Sequence, residues 1–112
     1  AAVLPAGRKR LAVGWYDAVD GEWRSRGKID NLTVEVLLER VTGPTCVSGE
    51  FSPQVRETLR EAPDITLSSP ALSLRSPIYL AEIAWKRWKA GQVDETADLA
   101  PIYLHRGDPI PG

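Results

Sequence analysis

The chain has 112 residues, 43% of them apolar and 26% charged, and a formal net charge of −1. These values fit one globular domain and exclude both a disordered chain and a global basic field that would attract nucleic acid. The apolar runs are shorter than the roughly 20 residues that a membrane span needs. Cys46 is the single cysteine, so no intrachain disulfide can form and the expected location is the cytoplasm.

The sequence contains no methionine and begins at Ala1, close to a predicted strand. We therefore expect residues 1–112 to be one piece of a larger protein. Within this piece we find no internal repeat and no low-complexity tract.

The first predicted element is a β-hairpin. Residues 11–16 have strand composition, and Asp20-Gly21 is a strong signal for a two-residue turn. The return strand runs from Glu22 to about Ile29. Its register predicts three cross-strand pairs on one face, namely Asp17–Arg24, Trp15–Arg26 and Val13–Lys28.

Two helices and two short strands follow the hairpin. Asn31 is the predicted N-cap of a helix that has one apolar stripe and ends at Gly43-Pro44. Residues 45–48 predict a buried strand, which would place Cys46 in the core. Ser52-Pro53 begins the second helix, Pro63 ends it, and residues 65–67 predict a further strand.

The last predicted helix begins at Ser76-Pro77 and ends at Gly91. Its apolar face carries Trp85 and Trp88, which we expect to lie in the core or at an interface between lobes. Glu82 and Lys86 form an exposed i,i+4 pair. The alternation of strands and helices predicts an α/β fold, in which a mixed sheet starts with an antiparallel hairpin and is packed by about three helices.

Basic residues are the main candidate for a binding surface. Arg8, Arg24 and Arg26 belong to a group on the hairpin that has Trp15 available for stacking, which is a pattern for contact with RNA or with a partner. The structural alternative is a solvated strand face on which the Arg26 guanidinium covers the Trp15 ring.

Catalytic chemistry finds little support in the residue pattern. Cys46 and His105 would need a third, orienting group, and two such residues are too few for a zinc site. The acidic residues Asp17, Asp20 and Glu22 could hold a divalent metal, but the turn explains Asp20 and Arg24 faces Asp17. The sequence therefore predicts no catalytic residue, no cofactor and no metal ligand.

Several stretches resemble the C-terminal lobe of the TsaB (YeaZ, glycoprotease-like) family, which has the actin-like ATPase fold related to ribonuclease H. Residues 6–16 are similar to the basic turn and strand that open this lobe, although Arg10 stands where the family has an acidic residue. Val47-Ser48-Gly49 resembles a family strand that ends in glycine. Residues 99–106 resemble its terminal Pro-x-Tyr-Leu-Arg signature, with His105 in the usual arginine place.

The resemblance implies that residues 1–112 form a single C-terminal lobe of a two-lobe protein whose N-terminal lobe is absent here. It implies a non-catalytic scaffold in the threonylcarbamoyladenosine modification of tRNA. The implied partners are a TsaD-like transferase and a TsaE-like ATPase, reached through the full-length protein, with a possible homodimer and indirect contact with tRNA. The alternatives are a basic-hairpin nucleic-acid-binding module and a lobe of an actin-like kinase.

Overall fold

In the computed structural model, residues 1–101 and 104 are described, and they contain seven strands and three α-helices. They divide into a unit from Ala1 to Leu74 and a second unit that begins at Arg75. The strands are β1 (Ala2–Pro5), β2 (Leu11–Gly14), β3 (Tyr16–Val19), β4 (Glu22–Ser25), β5 (Asp30–Leu32), β6 (Thr45–Gly49) and β7 (Ile65–Leu67), and the helices are α1 (Val34–Arg40), α2 (Pro53–Glu61) and α3 (Pro77–Lys89).

The first unit is built on a five-stranded mixed sheet in the order β5-β2-β1-β6-β7. Strands β5, β2 and β1 are antiparallel neighbours, whereas β1, β6 and β7 are parallel neighbours. Parallel neighbours need a crossover connection, and α2 supplies it between β6 and β7. The predicted mixed α/β architecture with three helices is confirmed.

The sheet opens with the β1–β2 hairpin, which the sequence did not reveal. Its turn is closed by two backbone hydrogen bonds, from Ala6 N to Arg10 O at 2.9 Å and from Arg10 N to Gly7 O at 2.8 Å. Gly7, Arg8 and Lys9 all adopt positive φ angles. Among these three residues only Gly7 favours a positive φ from its residue type. Because Arg8 and Lys9 do not, the sequence did not predict this turn.

The predicted Asp20-Gly21 hairpin forms a separate two-stranded sheet, β3–β4. Its register is the predicted one, with Asp17 opposite Arg24 and Val19 opposite Glu22. Both turn residues have positive φ, as a type I′ turn requires.

The predicted strand over residues 11–16 was wrong in its extent, because the chain leaves the large sheet at Trp15. The predicted pair Val13–Lys28 does not form either. Val13 lies between Val3 on β1 and Asp30 on β5. Two neighbouring strands therefore occupy both edges of β2 and leave no place for a return strand at Lys28.

The core of this unit lies between the sheet and the two helices α1 and α2. Leu37 of α1 and Leu59 of α2 are fully buried, as are Val13 and Val47 of the sheet. Full burial of one such side chain contributes about 1.5–3 kcal/mol relative to leaving it exposed. The complete core cluster is Val3, Leu11, Val13, Leu32, Leu37, Val47, Leu59 and Ile65.

The N-cap of α1 is Thr33. The sequence analysis predicted Asn31 as this N-cap, and that prediction was wrong. The Thr33 hydroxyl accepts from the backbone nitrogen of Val36 at 3.5 Å. Asn31 belongs to β5, where its side-chain oxygen accepts from Arg10 Nε at 3.0 Å. For α2 the prediction is confirmed, since the Ser52 hydroxyl accepts from Val55 N at 3.3 Å.

Helix α3 has the predicted bounds and the predicted pair, with Lys86 Nζ 2.8 Å from Glu82 Oε1. Its two tryptophans are not in a core, however. Trp85 and Trp88 are 55% and 61% exposed, and their ring centroids lie 5.0 Å apart.

Among residues 1–101 and 104, no helix is long and apolar enough to cross a membrane.

Candidate binding cleft beside the β3–β4 hairpin

A cleft of about 460 Å³ lies beside β3, with residues 42–46 also lining it. Its walls include three aromatic side chains, Trp15, Tyr16 and Trp23, and two arginines, Arg26 and Arg40. A second cleft of about 420 Å³ shares Trp15 and both arginines with it. Each volume falls within the range of about 300–1,000 Å³ that is general for small-molecule sites.

Trp15 is held in a fixed orientation in this cleft. It is partly buried and packs against the core cluster. Its indole Nε1 donates to Asp30 Oδ2 at 3.0 Å, and Arg40 Nη1 donates to the same oxygen at 2.6 Å. A single carboxylate therefore joins the start of β5, the end of α1 and the Trp15 ring.

Arg26 is bound by Asp17 and does not cover the Trp15 ring. Its Nε lies 3.0 Å and 2.9 Å from the two carboxylate oxygens, and Nη2 also donates to Oδ1. This hydrogen bonding lowers the pKa of the Asp17 carboxyl below its usual value. The predicted cation–π alternative is thus wrong, because a carboxylate on the neighbouring strand competes for the guanidinium.

The four predicted contact residues do not form one surface. Trp15 and Arg26 line the same cleft. Arg24 lies opposite Asp17 on β4 but is not among the residues that line this cleft. Arg8 lies in the β1–β2 turn, at the other end of β2 from Trp15.

The cleft also contains residues that the sequence analysis did not select. Tyr16 and Trp23 lie on the same face of the hairpin, and the predicted register already implied this arrangement. Arg40 comes from α1, and only the long-range pairing of β2 with β5 brings that helix close to Trp15. No local pattern signals such a contact.

The residues considered for catalysis are not brought together. Cys46 was predicted to be buried, but it is exposed, because Val47 takes the inward position on β6. His105 lies outside the described residues. Within residues 1–101 and 104, no three histidine, cysteine or acidic side chains are grouped as a metal site requires.

Gly49, the glycine that ends β6, has a clear structural role. Its φ angle is +142°, and it pairs with Val3 across the parallel ladder. The next residue, Glu50, donates its backbone nitrogen to Val3 O at 3.0 Å. The backbone at Gly49 therefore lies so close beside Val3 of β1 that only glycine fits there.

The sequence matches no family model and no curated protein. Two of the three stretches that carry the resemblance have defined structures. Residues 6–16 form the β1–β2 turn and β2, and Val47–Gly49 form the end of β6. Half of the third stretch, residues 99–106, lies outside the described residues, since 99–101 and 104 are described.

Proposed function

We propose that this chain is an actin-like, ribonuclease-H-like lobe that serves as a non-catalytic scaffold in the threonylcarbamoyladenosine modification of tRNA. The observation that carries the proposal is the strand order β5-β2-β1-β6-β7. A lobe of this type starts with antiparallel strands and adds parallel strands through helices, and this sheet has that arrangement. Two segments of the TsaB resemblance belong to this sheet, since residues 6–16 include the β1–β2 turn and β2, and Val47–Gly49 form the end of β6.

The close approach at Gly49 explains why one of the resembling stretches ends in glycine. Gly49 lies beside Val3, the buried residue of the central strand β1, and a β-carbon there would clash with the Val3 carbonyl oxygen. We take this requirement for glycine as support for the resemblance at Val47-Ser48-Gly49.

In the proposed role, the full-length protein that contains this lobe acts in the cytoplasm. It supports a TsaD-like transferase, in cooperation with a TsaE-like ATPase, and it contacts tRNA only within that assembly. No residue of the lobe is assigned to chemistry. Trp15 and Arg26 are the residues of the predicted contact surface that share one cleft.

The proposal is tested by depleting the full-length protein in its source organism. We expect the threonylcarbamoyladenosine content of total tRNA, measured by mass spectrometry of its nucleosides, to fall at least several-fold. Re-expression of the full-length protein restores it. An unchanged content of the modified nucleoside after complete depletion would overturn the proposal.

A second experiment tests the partner. The full-length protein, tagged and purified, should retain the TsaD-like transferase of the same organism, and the 112-residue chain is run in parallel. Retention by the full-length protein but not by the chain places the main partner surface outside this lobe. Failure of both to retain the transferase contradicts the scaffold role.

A further inference from the structure

The cleft beside β3 combines exposed aromatic rings with guanidinium groups. Trp23 is 71% exposed and Tyr16 is 40% exposed, although both side chains are large and apolar enough to favour burial. Trp15, by contrast, is partly buried and fixed through Asp30. One ring that is held by a hydrogen bond and two accessible rings thus line a single cleft of about 460 Å³.

The arginines in this cleft keep hydrogen-bonding capacity for a ligand. A guanidinium has five N–H donors in a planar fork. Arg26 uses Nε and Nη2 on Asp17, and Arg40 uses Nη1 on Asp30. Each arginine therefore has further donors that a phosphate oxygen can accept from.

The local charge is opposite in sign to that of the whole chain. The two adjoining clefts are lined by three basic side chains, Arg26, Lys28 and Arg40, and by two acidic ones, Asp17 and Asp30. The chain as a whole carries −1. The excess of one positive charge attracts a polyanion to this surface. Because this excess is small, ring stacking has to supply much of the affinity.

We propose that this cleft binds a single-stranded segment of RNA. A base stacks on the exposed rings of Trp23 and Tyr16, and the adjoining phosphate is bound by Arg26 and Arg40. Aromatic platforms beside basic side chains are the usual means of holding unpaired nucleotides, since every base has a π-face. The choice of RNA over other single strands rests on the proposed function, in which the assembly that contains this chain acts on tRNA, and direct contact of the cleft with RNA goes beyond that role.

A single strand suits this geometry better than a duplex does. Bases within a duplex are already stacked on each other and are not available to protein rings. The accessible rings project from a narrow two-stranded hairpin, whose four-residue strands are too short to follow a duplex groove over a helical turn. A loop or an unpaired end of an RNA therefore fits the cleft.

The test uses the 112-residue chain and a fluorescein-labelled, single-stranded RNA of ten adenylates, with binding followed by fluorescence anisotropy at low salt. The variant is Trp23→Ala. Because Trp23 is mostly exposed, the variant keeps its fold, which far-UV circular dichroism verifies. We expect its affinity for the RNA to fall about tenfold, which is within the range for losing one stacked base.

Matched control variants give the test its specificity. Trp85→Ala removes another exposed tryptophan, one on α3 that is 55% exposed, and should leave the affinity unchanged. Arg26→Ala should weaken binding several-fold, whereas Arg24→Ala and Arg8→Ala, which remove arginines that do not line the cleft, should have little effect. A ten-base-pair duplex RNA should bind more weakly than the single strand.

Two results would overturn this inference. One is that the 112-residue chain does not bind the RNA even at 100 times the concentration at which a basic peptide of equal length binds it. The other is binding that Trp23→Ala leaves unchanged. Neither result affects the proposed scaffold role, because that role is read from tRNA modification and transferase retention and does not require this cleft.

Discussion

Gly49 lies so close to Val3 across the β1–β6 ladder that a β-carbon at Gly49 would stand 1.9 Å from the Val3 carbonyl oxygen. No side-chain adjustment relieves such a contact, because the opposing atom belongs to the backbone of the central strand. The φ angle of +142° adds a second obstacle for any residue other than glycine.

Gly49→Ala should therefore destabilise the first unit strongly. We expect a loss of about 3 kcal/mol or more in the free energy of unfolding, measured by urea titration and circular dichroism. Gly43→Ala is the matched control, since a β-carbon there meets nothing within 4 Å. It should change the stability by less than about 1 kcal/mol. Equal effects of the two substitutions would contradict the close approach of Gly49 to Val3.

Leu37→Ala tests the contribution of α1 to the core. Leu37 is fully buried against the sheet, so the substitution removes apolar contacts and leaves a cavity. The expected loss is about 2–5 kcal/mol in the same urea titration. Leu72→Ala, at a leucine that is 71% exposed, should stay within about 0.5 kcal/mol. A small effect at Leu37 would mean that α1 does not pack as described.

Ser52→Ala removes the N-cap of α2. The Ser52 hydroxyl satisfies the backbone nitrogen of Val55, so its loss should cost about 1 kcal/mol of unfolding free energy. Ser52→Asp keeps an acceptor at the same position and should remain within about 0.5 kcal/mol of the parent protein. If alanine and aspartate behave alike in thermal denaturation, the hydroxyl is not acting as a cap.

Arg26→Ala should raise the pKa of Asp17. The hydrogen bond from Arg26 holds this pKa below its usual value, so the carboxylate favours the folded state at any pH above about 3.9, the value for an unfolded aspartate. That contribution disappears as the pH falls through the lowered folded-state pKa. Carbon-detected NMR titration of the Asp17 carboxyl measures the shift directly.

The control for this titration is Arg24→Ala. Arg24 lies directly opposite Asp17 in the β3–β4 ladder but forms no hydrogen bond with its carboxylate. The Asp17 pKa should therefore stay lowered in this variant. If the Asp17 pKa rose in Arg24→Ala and not in Arg26→Ala, Arg24 would be the ion-pair partner of Asp17, which would contradict the pair described here.

Short sequence signals correctly predicted the β3–β4 hairpin and the starts of α2 and α3. The turn residues Asp20 and Gly21 require positive φ, and they determined both the hairpin and its register. Ser52-Pro53 and Ser76-Pro77 likewise marked the starts of α2 and α3. In each case the deciding interactions lie within a few residues of the signal.

Features that depend on distant neighbours were predicted poorly. Asn31 has the chemistry of an N-cap, but pairing of β5 with β2 and a hydrogen bond from Arg10 place it in a strand. The apolar run around Cys46 does not show which face of β6 is covered by helices. Arg40 enters the cleft only because the sheet brings α1 beside Trp15. Each of these outcomes depends on contacts between residues that are far apart in sequence.

The two outermost strands of the five-stranded sheet, β5 and β7, are also its shortest, with three residues each. An edge strand presents unpaired backbone N–H and C=O groups that another chain can pair with, and a long, flat edge strand promotes aggregation. Three residues provide too few hydrogen bonds to template another strand, and Asp30 adds a charge to one margin. The longer strands β1, β2 and β6 are paired on both sides, so within this five-stranded sheet the longest strands have no free edge at which another chain could pair.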